Sequence, residues 1–259
     1  MSENNMFEWS SAQYMKFGNE RTQPSVDLIN RIEITPQSIL DVGCGPGNST
    51  AVLAQRFSAQ RILGVDSSAD MLTRAKSTYS GIDFKQCRVP DGLDSLGESF
   101  DLVFSNACIH WIPDQINLIK KLLSVVNDGG ALAVQIPLTQ KATFYEILNS
   151  LVDSGRWSKL KSIKNFHNLM PDEYYDLLSE ISCRFDLWET VYYHKTDSFE
   201  GIIEWYKGSG LRPHLNALNV EEQRAFSAEL LDKIKDSYTR LDNGSVILKM
   251  PRMFFCVYK

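Results

Sequence analysis

Short hydrophobic runs alternate with amphipathic segments between Ser38 and Gln135, and this alternation predicts the fold. The runs are rich in β-forming residues and bounded by polar residues or glycine, which is typical of strands buried on both faces. The segments between them space apolar residues three and four positions apart, as in helices that pack on a sheet. Five strands are predicted, at SILDV (38–42), RILGVD (61–66), IDFKQC (82–87), FDLVFSN (100–106) and ALAVQI (131–136). Their order with the helices predicts an α/β fold with a Rossmann-like, doubly wound parallel sheet.

Two helix boundaries follow from local signals in this region. Ser67 and Ser68 are placed to cap the helix that follows the second strand. The helix after the fourth strand begins near Asp114 and carries an apolar stripe that reaches Val126. We expect it to end at 129–130, because a glycine pair is a common helix terminator.

The pattern changes after Pro137, where longer helical segments replace the alternation. Asp197 with Glu200 resembles a capping box at the start of one of them. The predicted elements are helices at Thr143–Val152 and Pro171–Ile181, a strand at Arg184–His194, a mostly helical stretch at Asp197–Arg240 and a final strand, RMFFCVYK, at 252–259.

Composition and charge narrow the classes of function. The chain has 259 residues, a net charge of −5 and no dense block of Lys and Arg, which argues against a nucleic-acid partner. It has neither a basic leader followed by an apolar run nor a stretch of membrane-spanning length, so we expect no membrane partner and a cytoplasmic location. Its five cysteines and four histidines are scattered, which predicts neither a disulfide framework nor a metal site.

The segment DVGCGPG, at the tip of the first strand, carries the candidate chemistry. Ligands of open parallel sheets bind where the strand order reverses, and glycines there let backbone approach a ligand closely. The dinucleotide fingerprint needs a small residue at position 48, where this chain has Asn48. Asp41 would repel a pyrophosphate but would attract an ammonium group. Asp66, at the tip of the second strand, is placed to accept both hydroxyls of a ribose.

These motifs resemble those of the class I S-adenosylmethionine-dependent methyltransferases. Over nearly the whole chain the likeness extends to the trans-aconitate 2-methyltransferase family, through segments that include GVDSSADML, FSNACIHWIPD, SGLRPHL and KMPRMFFCVYK. The resemblance implies a seven-stranded sheet whose last strand is antiparallel, within a single domain. Its parts would be an N-terminal helical lid at 1–30, a cofactor-binding core at 38–136 and a helical substrate cap at 197–250, inserted before the last strand.

The resemblance also implies how S-adenosylmethionine is held. As an alternative to a cofactor contact, Met71 is an ordinary residue of the helix core. Arg88 stands where the family usually has an acidic residue that contacts the adenine amino group. Either backbone groups of Arg88 and Val89 would replace that acid, or the local alignment is shifted toward Asp91. The implied contacts are Asp41, Gly43, Cys44 and Gly45 for the methionine end, Asp66 for the ribose, Ser67 and Met71 for the ribose and adenine walls, Asn106 and Ala107 beneath the methionine, and Tyr14 and Arg21 from the N-terminal segment.

A carboxylate acceptor needs no general base, because it is already ionised; proximity and a water-poor pocket suffice. A polycarboxylate needs cations, and Arg212 and Arg252 are the candidates. Each has a plainer alternative: Arg212 as a surface loop charge and Arg252 as a solvated strand end. The further substrate candidates are Trp111 as a wall and Tyr192, Tyr193 and His194 as donors; an alcohol or amine acceptor would instead need His110 or His194 as a base.

The sequence also admits three further interpretations. In the first, the methyl acceptor is another small-molecule or carrier-bound acid. In the second, the protein binds S-adenosylmethionine without catalysing a reaction. A dehydrogenase is disfavoured by Asn48 and by the acid before the glycines. We expect a small anionic carboxylate as substrate, S-adenosylhomocysteine as product, and a monomer or weak homodimer.

Overall fold

A computed structural model describes residues 18–163 and 166–259, with side chains from residue 22 onward. By its internal contacts this part of the chain divides into two compact units. The first comprises residues 18–137, 166–190 and 252–259, and the second comprises residues 138–163 and 191–251.

A seven-stranded sheet organises the chain, with the strand order β3-β2-β1-β4-β5-β7-β6. The pairs from β3 to β5 are parallel, whereas β7 runs antiparallel to β5. The predicted Rossmann-like sheet with an antiparallel last strand is therefore confirmed. The strands are β1 Ser38–Val42, β2 Arg61–Asp66, β3 Asp83–Gln86, β4 Phe100–Asn106, β5 Val126–Pro137, β6 Phe185–Thr196 and β7 Val246–Tyr258.

Helices of the first unit cover the sheet with apolar faces. β1, β4 and the part of β5 at 130–136 are almost entirely buried, as the continuous hydrophobic runs in their sequences require. The helices are α1 Gly18–Ile29, α2 Asn48–Arg56, α3 Ala69–Thr78, α4 Gln115–Ser124 and α6 Pro171–Ile181. α1 packs against α2 and β5, and α3 packs against β2 and β3. The strand order reverses between β1 and β4, and a ligand site is expected at that point.

The second unit has a small core of its own. Its helices are α5 Thr143–Asp153, α7 Phe199–Lys207, α8 Arg212–Asn216 and α9 Val220–Ser237. α9 packs against α5 and α7. The rings of Phe144 and Tyr206 stack with centroids 3.6 Å apart, and Trp157 Nε1 donates to Glu229 Oε2 over 2.8 Å. α7, α8 and α9 lie between β6 and β7 in the chain, as the predicted insertion requires.

The predicted end of the helix after the fourth strand is wrong. α4 ends at Ser124, and Val126 already pairs with Phe100 as the first residue of β5. The glycine pair lies inside β5, at an irregularity where the β4–β5 register shifts between Phe100 and Leu102. Gly129 there has φ of +78°, and a Cβ on Gly130 would lie 2.5 Å from the Asp101 carbonyl oxygen. The glycines therefore serve a bulge in the strand.

Of three other predicted boundaries, one is confirmed and two differ from the structure. The cap of α3 is Ser68, whose hydroxyl accepts from the Met71 amide, so that prediction is confirmed. The cap of α7 is Ser198, which accepts from the Gly201 amide, whereas Asp197 was predicted. β7 begins at Val246, so the helical insertion ends before position 250.

The cysteine side chains differ in exposure. Cys44, Cys87 and Cys256 are buried, Cys108 is partly buried and Cys183 is exposed; all five are free thiols. Burial raises the pKa of the buried and partly buried thiols, to about 12 for Cys256. Among the described residues, no helix is both long enough and apolar enough to cross a membrane.

Candidate functional site

The glycine loop lies between β1 and α2 and is held against the tip of β2. The amides of Gly43 and Cys44 both donate to the Val65 carbonyl, over 2.8 and 3.0 Å. Gly43 has φ of +73°, and a Cβ there would lie 2.1 Å from Cys108 Sγ. Only glycine fits this position, because a side chain would be both strained and in collision. The loop therefore brings bare backbone to the carboxyl end of the sheet.

Asp41 is fully buried directly beneath this loop. Its Oδ2 accepts from the hydroxyls of Ser49 and Thr50, each over 2.7 Å, at the start of α2. Its Oδ1 is buried with no hydrogen-bond partner among the described residues. Burial raises the pKa of Asp41 to about 6, although the two hydroxyls oppose the shift. A buried carboxylate oxygen without a partner suits a cationic ligand group.

Asp66 ties the glycine loop to the start of α3. Its Oδ2 accepts from the Gly45 amide over 3.0 Å, and its Oδ1 accepts from the Ser68 amide over 2.8 Å. Burial raises its pKa, against the lowering effect of these amides. Each carboxylate oxygen has a second lone pair, so the side chain can still accept two hydroxyls.

The wall of this region is apolar. Cys44, Leu72, Ala75 and Phe84 form a buried cluster under the loop, and Met71 is also buried, on α3. Of the other predicted contacts in this region, Ser67 and Arg88 are exposed and Val89 is partly buried. The burial of Met71 accords with both interpretations of that residue, helix core and adenine wall.

The tips of β4 and β5 continue the site away from Asp66. Asn106 pairs with Gln135 in the parallel register of these strands. Ala107 has φ of +52°, an uncommon conformation for a residue with a Cβ, and its amide donates to the Gln135 carbonyl over 2.9 Å. Asn106 Oδ1 is buried without a hydrogen-bond partner in the described part of the chain.

An aromatic cluster follows β4. The His110 ring stacks on Phe166 with centroids 5.4 Å apart, and Trp111 lies 4.7 Å from the same ring. His110 is 3% exposed, and its pKa is well below the usual range because of burial and, secondarily, the positive charge of Arg252. His110 is therefore neutral at neutral pH.

Arg252 lies within β7, where its backbone pairs with Pro137 of β5. Only 7% of its surface is exposed, and six residues of the strand precede it. The alternative interpretation, a solvated strand end, is therefore wrong. Burial is the main cause of the lowered pKa of His110, and the positive charge of Arg252 lowers that pKa further.

Comparisons with known proteins agree with this geometry. Residues 39–130 match the family model of a methyltransferase domain. The chain is 34% identical to the trans-aconitate 2-methyltransferase of Rhodopseudomonas palustris (strain BisB5), over 98% of this chain and 100% of that protein. It is 36% identical to the enzyme of the same name from Escherichia coli O157:H7 (strain EC4115 / EHEC), over 96% and 97% of the two chains. The chain belongs to the trans-aconitate 2-methyltransferase family.

The fold of this family member also resembles that of solved structures. The YcgJ protein of Bacillus subtilis superposes with a TM-score of 0.57 at 18% identity, covering 92% of this chain and 99% of the other. That similarity concerns the fold alone.

As a member of the trans-aconitate 2-methyltransferase family, the chain is an S-adenosylmethionine-dependent methyltransferase. The described residues fit this donor. The unpartnered Oδ1 of Asp41 suits its ammonium group, and the glycine loop, with open space at the Cβ position of Gly45, leaves room for its methionine end. Asp66 retains the lone pairs that a ribose requires.

The remaining predicted residues of this family member fall in the second unit or outside the described residues. Tyr192 and His194 share one face of β6 with rings stacked 6.2 Å apart, and His194 stacks on the buried Trp205. Tyr193 lies on the opposite face of the strand and is 66% exposed. Arg212 begins α8 and is partly buried, so it is not a loop residue. Tyr14 lies outside the described residues, and of Arg21 the structure describes only the backbone, in α1.

Sequence reasoning missed three polar residues of the site. Ser49 and Thr50 orient Asp41, and Gln135 is a fully buried amide in β5. The hydroxyl residues give no signal, because a helix start is commonly polar. A polar residue inside the apolar run ALAVQI is a signal that could have revealed Gln135.

Proposed function

We propose that this protein transfers the methyl group of S-adenosylmethionine to one carboxylate of trans-aconitate, forming a methyl ester. The observation that carries the proposal is the buried Arg252 beside a neutral His110, on the sheet that bears the donor-binding loop. A buried guanidinium is a strong and directional partner for a carboxylate. The relatives named for this reaction, which align with this chain along almost its whole length, support the acceptor.

The donor supplies a methyl group on a positively charged sulfur. In this proposal Asp41 holds the ammonium group, Asp66 holds the ribose, and the bare backbone at Gly43 receives the methionine end. Arg252 holds a carboxylate of the acceptor, whose ionised oxygen is the nucleophile. No proton needs to be removed, so the protein contributes orientation and exclusion of water. The neutral state of His110 accords with this chemistry, because a ring with a lowered pKa is a weak base.

Arg212, Trp111, Tyr192, Tyr193 and His194 remain proposed substrate contacts. The residues proposed for the donor, beyond those above, are Tyr14, Arg21, Cys44, Gly45, Ser67, Met71, Arg88, Val89, Asn106 and Ala107. Substitution of each residue tests its assignment. Removing a substrate contact should raise the KM for the acceptor, and removing a donor contact should weaken the binding of S-adenosylhomocysteine.

The proposal includes the organisation and setting of the protein. The segment 1–30 would act as a lid, 38–136 as the cofactor-binding core and the helical insertion as a substrate cap, in one domain. We further propose a cytoplasmic monomer or weak homodimer without nucleic-acid or membrane partners. Light scattering coupled to size exclusion measures the oligomeric state directly.

The test uses purified protein, methyl-labelled donor and a panel of trans-aconitate, cis-aconitate, citrate and isocitrate. We expect base-labile methyl ester with trans-aconitate in preference to the others. Arg252→Gln should lose ester formation while keeping its affinity for S-adenosylhomocysteine. Arg224→Gln is the matched control, because Arg224 is an exposed arginine on α9. Donor binding without methylation of any acid in the panel would reject the proposal.

A further inference from the structure

Gln135 stands out because both ends of its buried side-chain amide are unsatisfied within the described part of the chain. It is 0% exposed, and neither Nε2 nor Oε1 has a hydrogen-bond partner among the described residues. A buried primary amide without partners is costly, because it gives up its hydrogen bonds to water and gains none. The chain retains this amide at the carboxyl end of β5, where a ligand site of this fold is expected.

The sheet register places Gln135 on the same face as the other polar residues of the site. In a sheet, residues paired across strands point to the same side. Asp41 pairs with Phe104, and Asn106, two residues further on, pairs with Gln135. Asp41, Asn106 and Gln135 therefore share one face, although they come from three strands. Asn106 and Gln135 lie side by side, yet neither Asn106 Oδ1 nor either end of the Gln135 amide has a hydrogen-bond partner among the residues that the structure describes.

The same register brings a positive charge to this amide. Gln135 pairs with Phe254 of β7, and Arg252 is two residues before Phe254 on that strand. Arg252 is therefore the diagonal neighbour of Gln135 on the same face, a separation that long side chains can bridge. His110, which interacts with the charge of Arg252, also has a buried Nδ1 without a partner in the described residues. A face with a buried guanidinium and unsatisfied donor groups suits an anion.

We propose that Gln135 is an acceptor-binding residue, whose amide Nε2 donates a hydrogen bond to a carboxylate oxygen of the methyl acceptor next to Arg252. This inference rests on the proposed function and adds a contact that no motif assigns. The two ends of an amide exchange by rotation about one bond, so the donor end can turn toward the carboxylate. An amide and a guanidinium differ in hydrogen-bonding geometry, so together they would fix the orientation of the acceptor. The guanidinium would also balance its negative charge.

The test compares Gln135→Met with Gln115→Met. Gln115 is the matched control because it is a buried glutamine with satisfied ends: Nε2 donates to the carbonyls of Ile109 and Ile112, and Oε1 accepts from Tyr174. Methionine has nearly the volume of glutamine and no hydrogen-bonding hydrogen. We expect Gln135→Met to raise the melting temperature and Gln115→Met to lower it.

The kinetic readout separates acceptor binding from other roles. Gln135→Met should raise the KM for trans-aconitate about tenfold or more, because it removes a hydrogen bond to a charged group. Its affinity for S-adenosylhomocysteine, measured by calorimetry, should change less than about twofold, since no bond to the donor is removed. If Gln135→Met does not fold, Gln135→Asn, which withdraws the amide by one methylene, should show the same rise in KM.

The outcomes that overturn the inference are distinct. An unchanged acceptor KM in a stable Gln135→Met protein would show that the amide binds ordered water only. Weaker binding of S-adenosylhomocysteine with an unchanged acceptor KM would assign the amide to the donor. If the wild-type protein itself methylates no acid of the panel, the proposed function fails as well, and that result is visible without any variant. A wild type that methylates trans-aconitate beside a kinetically normal Gln135→Met protein rejects this inference alone.

Discussion

Replacing Asp41 with asparagine should raise the stability of the protein without donor and lower its affinity for the donor. Asp41 is fully buried, with one oxygen bonded twice and the other without a partner in the described chain. Asparagine has nearly the same shape and keeps a carbonyl oxygen for the hydroxyls of Ser49 and Thr50. The substitution therefore removes the charge and little else.

The magnitude follows from the pKa of Asp41, which burial raises from 3.8 to about 6. A shift of about 2 units corresponds to about 3 kcal/mol by which folding disfavours the ionised carboxylate. Because the pKa of Asp41 is higher in the folded state than in the unfolded state, the carboxylate binds a proton more tightly in the folded protein. The stabilisation of the fold by protonated Asp41 is fully present below pH 3.8 and is lost as the pH rises through about 6.

Thermal unfolding without donor measures the first half of this prediction. For a chain of this length, about 3 kcal/mol corresponds to a shift in melting temperature of roughly 6–12 °C, which is an upper limit for Asp41→Asn at pH 8. The difference between variant and wild type should fall to about half near pH 5, where much of the penalty is absent. A variant that melts below the wild type at pH 8 would contradict the reasoning.

Calorimetry with S-adenosylhomocysteine measures the second half, because this product keeps the ammonium group. At pH 8 Asp41→Asn should bind it about 10–100-fold more weakly, as expected for a lost hydrogen bond between charged groups. Wild-type affinity should decline as the pH falls below about 6, and that of the variant should not. Adenosine lacks the amino-acid tail, so both proteins should bind it equally. Equal affinities for S-adenosylhomocysteine would refute the assigned role.

Three further substitutions or profiles test other parts of the site. Asp66→Ala should weaken the binding of both adenosine and S-adenosylhomocysteine by roughly 100-fold, because it removes hydrogen bonds to the ribose and the hydrogen bond from the Gly45 amide that holds the loop. Calorimetry that finds adenosine binding unaffected would reject the ribose contact. Gly43→Ala should cost about 2–5 kcal/mol in urea unfolding through collision with Cys108, whereas Gly81→Ala, also at positive φ but in open space, should cost about 1–2. With trans-aconitate, kcat/KM should be flat between pH 7 and 9, since His110 is neutral throughout; an inflection in that range would indicate a general base.

The limits of β1, β2 and β4 were predictable because each of these strands is a short apolar run with its own boundaries. β1, β2 and β4 have the predicted limits. The glycine pair at 129–130 was misassigned because glycine serves two purposes. It ends helices through positive φ, and it also permits the bulge at which β5 passes Asp101. Only the pairing partner distinguishes these uses, and that partner is distant in sequence.

The site was predictable where function depends on a local spacing. The glycine loop and the acids at the tips of β1 and β2 are local signals, so Asp41 and Asp66 could be identified from their positions alone. Gln135 is noticeable as a polar residue inside the apolar run ALAVQI, but its proposed role could not be assigned from sequence, because that role depends on pairing with Asn106 and on the diagonal position of Arg252. Those relations arise from register, which the sequence does not display. Arg252 itself was misplaced at a strand opening for the same reason.

The uneven exposure of the cysteines has a practical consequence. Burial, which is only partial for Cys108, raises the pKa of four of the five thiols, so that alkylating reagents should react with them slowly at neutral pH. Cys183, outside every element proposed to touch a ligand, is exposed. A maleimide dye should therefore attach at one place in the natural sequence, giving a fluorescent reporter for titrations without first engineering a cysteine-free background.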